Sequence, residues 1–227
     1  MKLLTLDTST DACSCALSVD GEIGEQSVIA PRQHTTLILP MIDQLLAEAG
    51  LKPTQLDGIA FGRGPGSFTG LRIACGITQG IAFAADIPVA PISSLATLAQ
   101  AAYLDNGIEQ VLAAIDARMN EIYFGRYHID EKGIMQPVGA ETVCTPLSID
   151  LPTTAGWYGI GSGWVIYAQE LTTRLGDKIL GYQGERYPQA RAMVPLAQAA
   201  FAAGQIVSAE NASPVYLRNR VVCLNVA

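Results

Sequence analysis

The chain has 227 residues, with 14 lysines and arginines against 21 aspartates and glutamates, and a formal net charge of −7. Only 15% of its residues are charged and 49% are hydrophobic, with a mean hydropathy of +0.27, whereas a soluble domain carries roughly 25% charge. This excludes disorder, which needs high charge and low hydrophobicity, and argues against a chain that holds nucleic acid by itself, because phosphate binding rests on Lys and Arg.

At the N-terminus, MKLLTLDTST has one Lys and an apolar run that stops at Asp7. That run is too short for a signal peptide, and a cytoplasmic location is expected. Residues 3–21, LLTLDTSTDACSCALSVDG, read as strand, polar turn, strand and a hairpin turn at Asp20-Gly21. Cys13 and Cys15 alternate on the second strand and so share one face. The five cysteines (13, 15, 75, 144 and 223) are odd in number and include no CxxC pair. They read as small core hydrophobes, not as disulfides or a zinc site.

Gln33–Ala49 has a helical pattern, interrupted at Pro40 and closed by Gly50. Leu56–Phe61 reads as a strand, Phe68–Ala85 as a helix, Pro88–Ile92 as a short strand, and Ser93–Tyr103 as a helix capped by Ser93 or Ser94. The weakly charged stretch Ile73–Ala85 falls short of the roughly 20 apolar residues of a membrane span. A polar turn at Asp105-Asn106-Gly107 divides the chain into lobes 1–106 and 107–227.

Residues 111–133, VLAAIDARMNEIYFGRYHIDEKG, echo the start. Asp7 and Asp20 lie 13 residues apart, and Asp116 and Asp130 lie 14 apart. Such self-similarity signals duplication. A strand at Trp157–Ile160, a helix near Trp164–Leu175 and a helix over Gln189–Ala203 follow. Strands alternating with helices predict α/β layers, in two similar lobes of which the second is more irregular.

Several stretches are candidate sites. Asp7, Thr8 and Ser9 could hold a phosphate or metal-bound phosphate, or could only satisfy their own backbone. Asp116 in the echo favours the first reading, because the two loops would then face each other across a cleft. GRGPGSFTG, Gly62–Gly70, follows a strand and opens a helix. It is neither a P-loop nor GxGxxG. Its glycines imply a close backbone approach, and its Arg63 either meets an anion or is solvated. GIGSGW, Gly159–Trp164, lacks the nucleophile-elbow pattern and reads as a turn or a second anion loop. His34 and His128 have no ligand at metal spacing and are expected at caps or on the surface.

The helices over 33–49 and 68–85 are apolar around more of their circumference than one core contact requires. Gly66, Gly70 and Ala74 form one small-residue row, and Gly76, Gly80 and Ala84 form another. Each helix is either sandwiched within its own lobe or presents an apolar face to another protein.

LLTLDTST, HTTLILPMI, AFGRGPGSFTGLRIACGITQGIAFAADIPVAPISSL and the PVYLR of Pro214–Arg218 together resemble the TsaB (YeaZ) family, densely in the N-terminal half and loosely in the C-terminal half. The resemblance implies a duplicated actin-like α/β fold (sugar kinase/Hsp70/actin type) and a non-catalytic subunit. That subunit would serve tRNA threonylcarbamoyladenosine synthesis. It would bind a TsaD-type catalytic subunit and a TsaE-type ATPase, form a homodimer when alone, and meet tRNA only through the complex. ATP and a divalent metal would be used by the partners, with no cofactor bound by this chain alone. In TsaD a His-x-x-x-His metal pair follows the glycine loop and its helix. Here Ser94 and Leu98 stand in those places, and neither side chain suits Fe or Zn. The resemblance places the partner interface on the two over-apolar helices, with Thr35, Leu39, Ile42, Leu46, Gly70, Ile73, Ala74 and Ile77 as its expected contacts. The ending NRVVCLNVA departs from the family's more polar, basic tail. An ATP-binding kinase or ATPase, with Asp7 and Asp116 flanking Mg-nucleotide, is the alternative. A peptidase fits least, for want of paired metal ligands or a Ser/His/Asp set.

Overall fold

A computed structural model describes residues 1–218, so the atypical tail and Cys223 lie outside the described residues. The first half opens with three antiparallel strands: β1 (Lys2–Asp7), β2 (Ala12–Val19) and β3 (Glu22–Ile29). Asp20 (φ 51°) and Gly21 (φ 99°) make the two-residue turn between β2 and β3, a backbone that matches the twist of its strands. There follow α1 (His34–Glu48), β4 (Gly58–Gly64), α2 (Phe68–Ala85), β5 (Val89–Ser93) and α3 (Ser94–Asn106). The sheet order is β3-β2-β1-β4-β5, with β1, β4 and β5 parallel.

The second half repeats the plan: β6 (Gln110–Arg118), β7 (Glu121–Ile129), β8 (Met135–Pro137), β9 (Thr142–Cys144), β10 (Trp157–Ile160), α4 (Gly163–Ile166), α5 (Ala168–Leu175), β11 (Ile179–Gln183) and α6 (Ala190–Ala202). Five of its six strands, in the order β8-β7-β6-β10-β11, match the first sheet, again with three parallel strands, and β9 adds a sixth against β7. The echo between residues 3–21 and 111–133 is thus an echo of topology. Where the first half has α1, the second has only β9 and a 3-10 turn at Pro146–Ser148.

Three apolar clusters set the layers. α1 and α2 cover one face of the first sheet, over Leu4, Leu6, Cys13, Cys15, Ile59 and Phe61. α4 and α5 cover the outer face of the second, around Leu112, Phe124, Trp157 and Trp164. Between the sheets lie α3 and α6, with Leu95, Leu98, Met193 and Ala197 fully buried. Each such Leu or Met contributes roughly 1.5–3 kcal/mol by leaving water. α3, from the first half, lies mainly on the second sheet, while α6, from the second half, lies mainly on the first. This exchange of helices knits the halves together.

Local departures from expectation have local causes. α1 is not interrupted at Pro40; it runs through it. The carbonyl that loses its partner there belongs to exposed Thr36, where water can bond it, while Ile38, Met41, Ile42, Leu45 and Leu46 hold the helix to the sheet. The helix expected near 164–175 is broken into α4 and α5 at Tyr167 (φ −117°, ψ 25°). β11 was not expected: it is an edge strand interrupted by Gly181, with Leu180 and Tyr182 exposed, so it lacks both a continuous apolar run and a buried face. Ser93 caps α3, its hydroxyl accepting the Ala96 N–H at 3.2 Å. α2, at 18 residues, is long and apolar enough to cross a membrane by length and composition alone. One face of it packs on the sheet, with Leu71, Ala74, Cys75, Thr78 and Ala82 buried.

Candidate functional site: an interlobe cleft and an open helical face

The β1–β2 and β6–β7 turns do face each other. Ser9, Thr10 and Asp11 line one side of a cleft of about 570 Å³, and Asp116, Ala117, Arg118 and Met119 line the other. Pro65–Phe68, at the start of α2, close one end, and Ser162, Val165 and Ile166 add to the second wall.

The carboxylates of Asp7 and Asp116 are already committed. Asp7 is 1% exposed and lies beneath the cleft. It accepts the Ser9 N–H at 2.8 Å, the Ser9 hydroxyl at 2.6 Å and the Ser94 hydroxyl at 3.2 Å. Burial pushes its pKa above the ordinary carboxylate value, and the bonds from Ser9 and Ser94 oppose that rise. Gly62 is glycine because a Cβ there would overlap the Asp7 carboxylate. Thr8 is buried, and its hydroxyl donates to the Gly70 carbonyl at 2.7 Å. Asp116 accepts the Arg118 N–H at 2.9 Å and pairs with the Arg118 guanidinium at 2.9 Å. Ser162 serves the same turn, its hydroxyl accepting the Asp116 N–H at 3.1 Å. Asp7, Thr8 and Asp116 therefore build the loops, and of the four proposed anion-loop residues only Ser9 and Asp116 reach the cleft.

Asp7 yields a pH prediction. A raised folded-state pKa means that the folded chain holds the proton more tightly than the unfolded one. The stability this confers is present below about pH 3.8 and is lost as pH rises through the folded value. At neutral pH the ionised carboxylate is then a burden that Asp7→Asn removes, while the amide oxygen still accepts from Ser9. We expect Asp7→Asn to be at least as stable as the parent at pH 7, with its advantage shrinking on acidification. Urea unfolding at several pH values checks this; a loss of about 2 kcal/mol or more at pH 7 contradicts it.

Two other candidates resolve differently. His34 is neither surface nor cap: it is 7% exposed, with Nε2 3.2 Å from the Ala12 carbonyl, whereas His128 is exposed. Arg63 is half-buried, and its Nε has no hydrogen-bond partner among the described residues.

The outer face of α1 and α2 is the second feature. Of the expected interface residues, Thr35 and Leu39 are exposed, the latter by 51%, and Ile73 and Ile77 are half-buried. Ile42, Leu46, Gly70 and Ala74 are not at this surface. Ile42, Leu46 and Ala74 belong to the chain's own core, and a Cβ on Gly70 would overlap the Thr8 carbonyl oxygen. The first small-residue row thus admits this chain's own β1–β2 turn. The second row is open: Gly76 and Gly80 have nothing within 4 Å of a would-be Cβ, and Phe83 beyond them is 79% exposed. Sequence reasoning missed the C-terminal side of the cleft, where Val215–Arg218 form part of the wall; the PVYLR motif marked the segment without saying what it touches.

Comparisons with known proteins identify the family. A family model described as TsaD, tRNA N6-adenosine threonylcarbamoyltransferase, matches residues 25–155. The chain is 42% identical to the tRNA threonylcarbamoyladenosine biosynthesis protein TsaB of Escherichia coli K12, over 97% of this chain and 96% of that one. It is 44% identical to the protein of the same name in Haemophilus influenzae Rd, over 97% and 95%. The solved structure of YeaZ from Pseudomonas aeruginosa superposes with a TM-score of 0.89 at 46% identity, covering 95% of this chain and 99% of that one. With this identity, coverage and shared actin-like fold, the chain belongs to the TsaB (YeaZ) family.

Proposed function

We propose that the chain is a non-catalytic scaffold in tRNA threonylcarbamoyladenosine synthesis. It binds a TsaD-type catalytic subunit through the outer face of α1 and α2, and a TsaE-type ATPase joins the assembly. The complex transfers threonylcarbamoyl from threonylcarbamoyl-AMP to the adenosine next to the anticodon in tRNAs that read ANN codons. ATP, the metal and most of the tRNA contact fall to the partners, in the cytoplasm, and without a partner the same face pairs two copies of this chain.

The observation that carries this reading is the open row on α2. A glycine inside an exposed helix costs about 1 kcal/mol relative to alanine. Gly76 and Gly80 have room for a side chain, so nothing in the free chain calls for glycine there. A second helix backbone closing on that row does, and the apolar flanks Leu39, Ile73, Ile77 and Phe83 supply area for it. Ser94 and Leu98 support the non-catalytic part. Both are 0% exposed, and the Ser94 hydroxyl serves Asp7.

The test is in vitro modification of tRNA by a TsaD-type subunit, a TsaE-type ATPase and the carbamoyl-adenylate synthase, with and without this chain. Modification should depend on it, and a stable heterodimer should elute at micromolar concentration. Equal modification without the chain overturns the reading. Turnover of ATP by the chain alone, lost in Asp116→Asn, would support the kinase alternative instead.

A further inference from the structure

The last described residues run as a strap along α2 and then leave it for the other lobe. The Ala212 carbonyl accepts from Cys75 Sγ at 3.3 Å and from Gln79 Nε2 at 2.9 Å. The Val215 N–H donates to the Arg63 carbonyl at 2.7 Å. The Tyr216 ring lies 5.3 Å from that of Phe68, and its hydroxyl accepts from Arg72 Nε at 3.3 Å. Arg72 in turn sits over the Phe68 ring, 3.9 Å from its centroid. All of these contacts are to β4 and α2 of the first lobe. Two residues on, Arg218 reaches the β6–β7 turn of the second lobe. Its guanidinium pairs with Glu121, donates to the Arg118 carbonyl at 3.4 Å and lies 3.6 Å from Met119 Sδ.

The turn it grips is unusual. Met119 and Asn120, at φ 57° and 59°, are the two loop residues between the paired Arg118 and Glu121 and have the left-handed backbone that such a hairpin requires; Arg118 before them is left-handed as well, at φ 60°, a conformation that persists in a non-glycine residue only where its surroundings impose it. The opposing β1–β2 turn has no such residue. The imposing contacts are the Asp116 carboxylate inside the turn and Arg218 from outside it.

We propose that the strap is a latch across the cleft, with Arg218 as its catch. It couples the conformation of the β6–β7 turn to the seating of Tyr216 on α2, so that release at one end loosens the other. The latch is a property of the free chain and stands whether or not α2 receives a partner; if it does, a partner that shifts α2 is felt in the cleft. Arg218 and Tyr216 act here as positioning residues.

Reciprocity distinguishes a latch from two separate local contacts. The experiment is amide hydrogen exchange on the full chain and on three variants, Arg218→Ala, Glu121→Gln and Tyr216→Ala, with global stability measured by urea unfolding to set the exchange rate expected from global opening alone. Arg218→Ala and Glu121→Gln should speed exchange about three- to tenfold beyond that rate in residues 71–73 and 215–217, as well as in 118–121. Tyr216→Ala should do the same to 118–121. Arg218→Lys, which keeps the charge and loses the fork, should fall in between. The latch is overturned if each variant affects only its own end, or if all excess exchange follows the change in global stability. Glu121→Gln leaves the strap sequence intact, so a fault in the strap's own folding cannot mimic the result.

Discussion

Gly76→Lys should leave the free chain folded and abolish the proposed docking of a TsaD-type subunit. Gly76 lies mid-way along α2, exposed, with open space where its Cβ would stand. Lysine has a better helix propensity by about 0.5–0.8 kcal/mol, so at concentrations dilute enough to keep both proteins monomeric the variant's melting temperature should rise by roughly 1–3 °C. The same side chain would place an ammonium where a second helix is proposed to close. An unpaired charge buried in a packed contact costs several kcal/mol, so the Kd for the TsaD-type subunit should rise at least about a hundredfold, or ~3 kcal/mol. Calorimetric titration reads the affinity and a thermal melt reads the fold. Binding within about threefold of the parent would remove this face from the interface. Loss of both folding and binding would show that the row is not open.

Gly70→Ala should act in the opposite sense. By propensity alone alanine would stabilise α2 by about 1 kcal/mol. Here its methyl group would overlap the Thr8 carbonyl oxygen, a backbone atom that cannot swing aside. α2 would have to lift from the β1–β2 turn. Two contacts hold that seam: the Ser67 N–H donates to the Ser9 carbonyl at 2.7 Å, and the Thr8 hydroxyl donates to the Gly70 carbonyl at 2.7 Å. Overpacking against fixed atoms costs about 1–3 kcal/mol, and more where bonds are lost with it. We expect a net loss of about 2–4 kcal/mol and a fall in melting temperature of roughly 5–15 °C. Gly80→Ala on the same helix should gain up to about 1 kcal/mol. Equal effects at the two glycines would mean that position on the helix decides nothing.

Much of the architecture was legible because its signals are local. The alternation in residues 3–21 and again in 111–133 marked both hairpins, and five strands of the second sheet repeat the first in order. α2 and β10 have the bounds their apolar patterns imply. Pro40 misled because the rule for proline concerns a lost hydrogen bond, and whether water can replace it depends on which side of the helix faces out. The edge strand β11 has no strong period of its own; packing of Tyr182 on Trp164 and pairing with β10 make it.

The candidate site divides along the same line. An excess of apolar surface on two helices is a property of composition and spacing, so the sequence alone located it between residues 33 and 85. Which arc of each helix turns inward is a property of the sheet beneath. Thus Ile42, Leu46, Gly70 and Ala74, indistinguishable in pattern from surface contacts, lie inside, and Gly76 and Gly80 lie in the open. Asp7 and Asp116 were marked by their place in the repeat, but their engagement by Ser9, Ser94 and Arg118 needed the folded loops. The grip of Arg218 on Glu121 joins residues 97 apart in sequence. The sequence by itself determined the elements, the repeat and the family, because periodicity and motif are carried by neighbouring residues. Only the tertiary structure decided which faces are free and which charges are already engaged, because both depend on atoms brought together by packing over long stretches of chain.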